Sequence, residues 1–200
     1  MAPAGSVPHL PQTDAPNPTP AIVELDGWRL EPFTPNEAPL LSQLLQQRGH
    51  RYLLEVPTDE ATIKLLLSEV GKHAWAMSGA LIRDDELVGF GATALPNLRA
   101  LHASVTALFV DPASARTPLA LYLRHLFWSF PLHRLHTQIP DLDLTREYVD
   151  LLTSVGFRVE GRLVDHAHIG GQSFDVIALG LLRSDFEAWC DADEPRLGLR

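Results

Sequence analysis

Cysteine is nearly absent: Cys190 is the only one in 200 residues. An internal disulfide is excluded, and a reducing compartment fits. No apolar run is long enough to span a bilayer, so a membrane is not an expected partner. The N-terminus lacks the basic and apolar regions of a secretory signal, so a cytoplasmic protein is expected. Basic residues are also in short supply. Sixteen Lys and Arg stand against 25 Asp and Glu, for a net charge of −9. Phosphate-backbone binding needs the opposite balance, so nucleic acid is not an expected partner. An acidic surface favours a cationic acceptor such as an amine, and it also simply keeps a protein in solution. There is no internal repeat.

Two hundred residues suit one domain with a real core. Residues 1–20 hold Pro3, Pro8, Pro11, Pro16, Pro18 and Pro20 and almost no large apolar side chains, which predicts a disordered, proline-rich leader. The domain is expected over 21–190, with a flexible tail over 191–200. Trp28 to Glu31 reads as a first strand. Leu40, Leu41, Leu44 and Leu45 mark one helix that ends before Gly49. Ile63, Leu66, Leu67 and Val70 mark a second, opening near Thr58. Strands are predicted over 73–83, 87–95 and 99–110. In the last, Leu101, Ala103, Val105, Ala107 and Phe109 alternate with His102, Ser104 and Thr106. Thr117-Pro118 predicts a helix with Thr as N-cap and Pro at its first helical position. A strand over 133–139, a helix over 145–155 stopped by Gly156, and a hairpin closed by Gly170-Gly171 complete the order.

Strand, two helices, three strands, helix, strand, helix and hairpin resemble the GCN5-related N-acetyltransferase (GNAT) family over roughly residues 25–186. The closing stretch from Leu151 to Phe186 carries the resemblance most specifically. It is similar to the branch that acetylates ribosomal-protein N-termini and polyamines. The resemblance implies an α/β fold: a mixed, mostly antiparallel twisted sheet with helices on both faces. It implies acetyl-CoA as co-substrate, no metal, an amine acceptor, and a monomer or homodimer.

In that family a Val-Asp-Pro-like triplet leads into a glycine-bearing loop that holds the CoA pyrophosphate on backbone N–H groups and a helix N-terminus. Val110-Asp111-Pro112 matches the triplet. The loop departs from the pattern, because Arg116 and Pro118 fall where glycines would be and Ala120 takes the third small position. Pro118 removes one N–H donor. Arg116 could replace backbone contacts, with Ser114 and Thr117 hydroxyls as further donors and Leu119 beside them. Two readings follow: CoA held by a rebuilt loop, or a cofactor site that has decayed into a non-catalytic binding or interaction module.

Acyl transfer needs a neutral amine, a donor to the thioester carbonyl and an acid for the departing thiolate. The resemblance places the carbonyl donor on the backbone of Leu108, Phe109 or Val110. The family's frequent tyrosine acid is Leu152 here. One turn earlier stands Tyr148, which reads either as a replacement acid or as part of an apolar stripe with Leu144, Leu151, Leu152 and Val155. Thr145 replaces the family's helix-opening asparagine near the pantetheine arm. His102 and His136 are candidate bases, since histidine titrates near neutrality. Glu55 and Ser104 are candidate acceptor contacts. His166, His168 and Asp165 are read as structural, and Cys190 is not expected to be a nucleophile.

Overall fold

In a computed structural model the described residues are 23–25, 27–32, 35, 38–46, 59–70, 78–84, 86–97 and 99–193. The expected leader, Gly49, Glu55 and Thr58 lie outside them. The strands are β1 (Val23–Leu25), β2 (Trp28–Pro32), β3 (Ser78–Arg83), β4 (Glu86–Asn97), β5 (His102–Phe109), β6 (Arg134–Pro140), β7 (Arg158–Ile169) and β8 (Gln172–Leu182). The helices are α1 (Ala38–Gln46), α2 (Glu60–Val70), α3 (Arg116–Ser129), α4 (Arg146–Ser154) and α5 (Arg183–Asp193).

The strands form one sheet in the order β1-β2-β3-β4-β5-β6-β8-β7. Only β5 and β6 run parallel; the other pairs are antiparallel. A parallel pair needs a crossover, and α3 supplies it. Alternation along β5 divides the apolar residues between the two faces. Ala103, Val105 and Phe109 join a core with α3, α4 and α5, which includes Leu119, Tyr122, Leu126, Leu151 and Phe186. Leu108 joins a second core with Phe90, Ala80, Ile63 and the α1 residues Leu41, Leu44 and Leu45. The Gly170-Gly171 turn of the closing hairpin has φ of +59° and +83°, a pair of values that only glycine adopts without strain.

The structure corrects several expected boundaries. Leu40 points to solvent at 52% exposure, so α1 buries Ala38 in place of it. The N-cap of α2 is Asp59, whose carboxylate accepts from Thr62 N–H at 2.8 Å. Helix α3 starts at Arg116 behind Ala115, not at Thr117, and Ala115 offers no side-chain cap. Pro118 falls inside the first turn, where a missing N–H costs little. Helix α5 is an element the sequence reading missed, and it carries the fold past the expected boundary at 190. Arg183 anchors it, donating to the carbonyls of Leu132 at 2.9 Å and Phe130 at 2.8 Å. Cys190 is buried on its inner face.

Glycine on β4 sets how closely α3 can approach. A Cβ on Gly91 would lie 2.5 Å from the ring of Tyr122, which is fully enclosed. Burial also raises the Tyr122 phenol well above its usual pKa, against a smaller lowering by its hydrogen bond to Thr93. Gly91→Ala is expected to cost about 1–3 kcal/mol in urea unfolding, as overpacked cores do. Gly161→Ala, with open space around its Cβ, serves as the control and should stay within about 0.5 kcal/mol of wild type.

Candidate active site

The parallel pairing of β5 with β6 is short. It joins His102 to Arg134, Ala103 to Leu135 and Ser104 to His136, and then ends. Beyond that point β5 stays on β4 through Phe109, while β6 follows β8 through Pro140. The two strands part and leave a wedge. Its walls include Val105, Thr106, Ala107, Phe109, Leu119, Thr137, Gln138, Ile139, Tyr148 and Leu151, around a small cavity that is partly open to solvent.

Backbone polarity inside the wedge follows from strand alternation. Val110 N–H bonds to Val88 O at 2.9 Å, so it faces β4. Leu108, two residues earlier, points its N–H the same way, and Phe109 and Ala107 point theirs into the wedge. Of Leu108, Phe109 and Val110, only Phe109 therefore directs its N–H into the wedge. The side chain of Leu108 is buried under α1 on the opposite core. The backbone of Phe109 meets one partner, the hydroxyl of Tyr148. That hydroxyl accepts from Phe109 N–H and donates to Phe109 O, both at 3.4 Å, the long end of hydrogen bonding. Tyr148 is a buried core residue whose hydroxyl reaches the wedge backbone at Phe109.

The expected cofactor loop is a short 3-10 turn, Pro112–Ser114, capped by the Asp111 carboxylate on Ala113 N–H. The Ser114 hydroxyl donates to Asp111 O at 3.2 Å. Leu119 N–H bonds back to Ala115 O, and Pro118 has none to give. The backbone donors left at the start of α3 are those of Arg116 and Thr117. Ala120 is fully buried in the helix interface. The Arg116 side chain turns away from the expected wedge mouth. Its guanidinium stacks over Trp189 of α5 at 5.3 Å and approaches Asp193 at 3.8 Å, while its Nε is buried without a partner. Thr145 is also committed elsewhere. Its hydroxyl bonds the carbonyls of Pro140 and Leu142 and accepts from Leu142 N–H at 3.2 Å. It makes no cap bond to α4, and no donor of its side chain is left for a pantetheine arm.

The polar face of β5 and β6 collects the candidate bases. The His102 and His136 rings meet edge to face with centroids 5.2 Å apart. Ser104 is the register partner of His136. Burial, then His102, then Arg134 push the His136 imidazole below its ordinary pKa, and Glu160 pulls weakly the other way. A neutral imidazole at pH 7 is a base ready to accept a proton. Ser104 lies five residues before Phe109, roughly 17 Å along an extended strand, so His136 is remote from the Phe109 end of the wedge. Sequence reasoning missed Arg134 and Glu160, an ion pair beside His136. It also missed Gln138 and Thr106 on the wedge wall; the alternation of β6 was the signal that pointed to Gln138. Glu55 lies outside the described residues. Among those residues there is no group of three or more His, Cys, Asp or Glu placed to hold a metal ion.

No family profile matches this sequence. No curated protein matches it either. Solved structures do match its architecture. Spermidine N-acetyltransferase from Vibrio cholerae, in complex with CoA and spermine, superposes with a TM-score of 0.70 at 17% identity, covering 80% of this chain and 98% of that one. Ribosomal-protein-S5-alanine acetyltransferase from Vibrio fischeri gives 0.66 at 15% identity, covering 83% and 98%. A GCN5-related N-acetyltransferase from Brucella melitensis gives 0.67 at 20%, covering 88% and 85%. With its mostly antiparallel sheet parted at β5 and β6, this chain has the GCN5-related N-acetyltransferase fold.

Proposed function

We propose that the protein is an acyl-CoA-dependent N-acyltransferase that moves an acetyl group from acetyl-CoA to a primary amine in one ternary complex. The acceptor class is a protein or peptide N-terminus, a polyamine or another small amine. The observation that carries this is the wedge. Past Ser104 the β6-facing edge of β5 has lost its partner strand, and an extended chain bearing amides restores the missing hydrogen bonds. The pantetheine arm of CoA is such a chain. All three of the similar structures described above are acetyltransferases by name, and the one from Vibrio cholerae holds CoA and spermine.

Each step has a candidate group. The N–H of Ala107 or Phe109 donates to the thioester carbonyl as charge grows on its oxygen. The acceptor ammonium passes a proton through water to His136, with His102 and Ser104 alongside. The free amine nitrogen then bonds to the carbonyl carbon, the carbon–sulfur bond breaks, the Tyr148 hydroxyl gives its proton to the thiolate, and the excess proton on the new amide nitrogen passes through water to the tyrosine oxygen. The pyrophosphate rests at the start of α3 on the N–H groups of Arg116 and Thr117. Ser114 and the Arg116 guanidinium lie nearby, the latter once drawn from Trp189.

A second reading has its own support. Tyr148 already satisfies Phe109, and Arg116 already has partners on α5. A GNAT-like module without catalysis is consistent with both facts.

Calorimetry with acetyl-CoA separates the two. Micromolar binding and turnover of an amine panel are expected; no binding by wild type sinks the enzyme reading. Tyr148→Phe should lower kcat by about 10²-fold with little change in the KM for acetyl-CoA, as loss of an acid does. The pH–rate profile should be flat above neutrality and fall in acid as His136 takes up a proton. Its inflection should lie below the ordinary histidine value, because the folded imidazole is depressed. His136→Ala should lower kcat and erase that inflection.

A further inference from the structure

Two features of the chain with no evident role in packing bring a carboxylate to His136. The register of β7 on β8 slips between Val159 and Gly161, leaving Glu160 as the extra residue of a bulge. A bulge re-aims the side chain it carries. On β8, the register partner of His136 is Gly180. A Cβ on Gly180 would lie 2.6 Å from the Glu160 carboxyl carbon and 2.7 Å from an Arg134 guanidinium nitrogen. The missing side chain is therefore the seat of the Arg134–Glu160 ion pair. The bulge turns the carboxylate toward Arg134 over β8, and the glycine makes room for it.

We propose that Glu160 and Arg134 are positioning residues for His136: their ion pair, seated over Gly180, faces the imidazole from β7 and β6 as His102 faces it from β5, and the four side chains act as one proton-handling cluster. Its chemical purpose rests on the N-acyltransferase reading; its existence does not.

The charges around the ring are accounted for by element. Strand β5 contributes His102, β6 Arg134 and β7 Glu160, while β8 contributes uncharged Gly180. The nearby Arg158 is turned to Asp185 of α5 at 2.9 Å. Glu160 favours the imidazolium, and Arg134 and His102 oppose it. Together the pair places opposite charges beside the ring, one favouring and one opposing a proton taken from the acceptor ammonium. The proton then leaves the imidazolium to solvent, and no bond to carbon is made at this cluster.

The test is the NMR titration of the His136 ring in the full chain, assigned with His136→Ala. Glu160→Gln should move the midpoint down, because the favourable charge is lost and Arg134 is left uncompensated. Arg134→Gln should move it up. The opposite signs are the signature, since a merely structural pair would shift neither or both alike. Gly180→Ala, with its fold checked by circular dichroism, should shrink the Glu160→Gln shift by displacing the pair. Unchanged midpoints, or two shifts of one sign, overturn the proposal. In an active enzyme the acid limb of the pH–rate profile should follow the same two directions. Titration shifts without any acetyl transfer would uphold the cluster and sink the function; transfer without titration shifts would do the reverse.

Discussion

The site depends on one lost pairing. Strands β5 and β6 hold together through Ser104 and His136 and then separate. In a closed sheet the N–H and C=O groups of Ala107 and Phe109 would be bonded across that gap. Here a single tyrosine hydroxyl reaches Phe109, at distances long enough to be weak. Buried backbone polar groups are costly to leave unsatisfied, and the proposed pantetheine arm would supply the partners that β6 does not. Everything near it either keeps it open or lines it. Helix α3 and helix α4 pack on one face, and the α1 core stops at Leu108 on the other. The His102–His136 edge-to-face contact lies across the last paired rungs.

Each face of the sheet is shaped in part by subtraction. Gly91 lets Tyr122 lie flat on β4, and Gly180 lets an ion pair lie flat on β8. The first absence closes a core and the second furnishes a polar surface. The same small residue serves stability in one place and chemistry in the other. The difference lies in what is opposite: an aromatic ring from α3, or charged side chains from β6 and β7.

Much of this was legible in sequence because it is local. Period-two alternation in 101–109 marks β5 and its two faces, and the Gly170-Gly171 turn fixes the closing hairpin. Helix α5 escaped notice because β8 runs into it with no glycine or proline between Leu182 and Arg183, although Phe186, Trp189 and Cys190 carry helical spacing. That omission had a consequence. The position of Arg116 is set by Trp189 and Asp193, so its retreat from the expected phosphate site was unreadable without α5. Glu160 was illegible for a different reason. A bulge is a property of pairing between Val159 and Leu179, and neither residue signals it alone. Thr145 looked like a helix cap by type, yet the turn at Pro140–Leu142 claims its hydroxyl first.

The most direct test of the wedge is amide hydrogen exchange at Ala107 and Phe109, resolved by NMR, with and without acetyl-CoA. Acetyl-CoA is expected to slow exchange at one or both while the β4-facing amides of Leu108 and Val110 stay as they were. Unchanged exchange at Ala107 and Phe109 under saturating acetyl-CoA would contradict it.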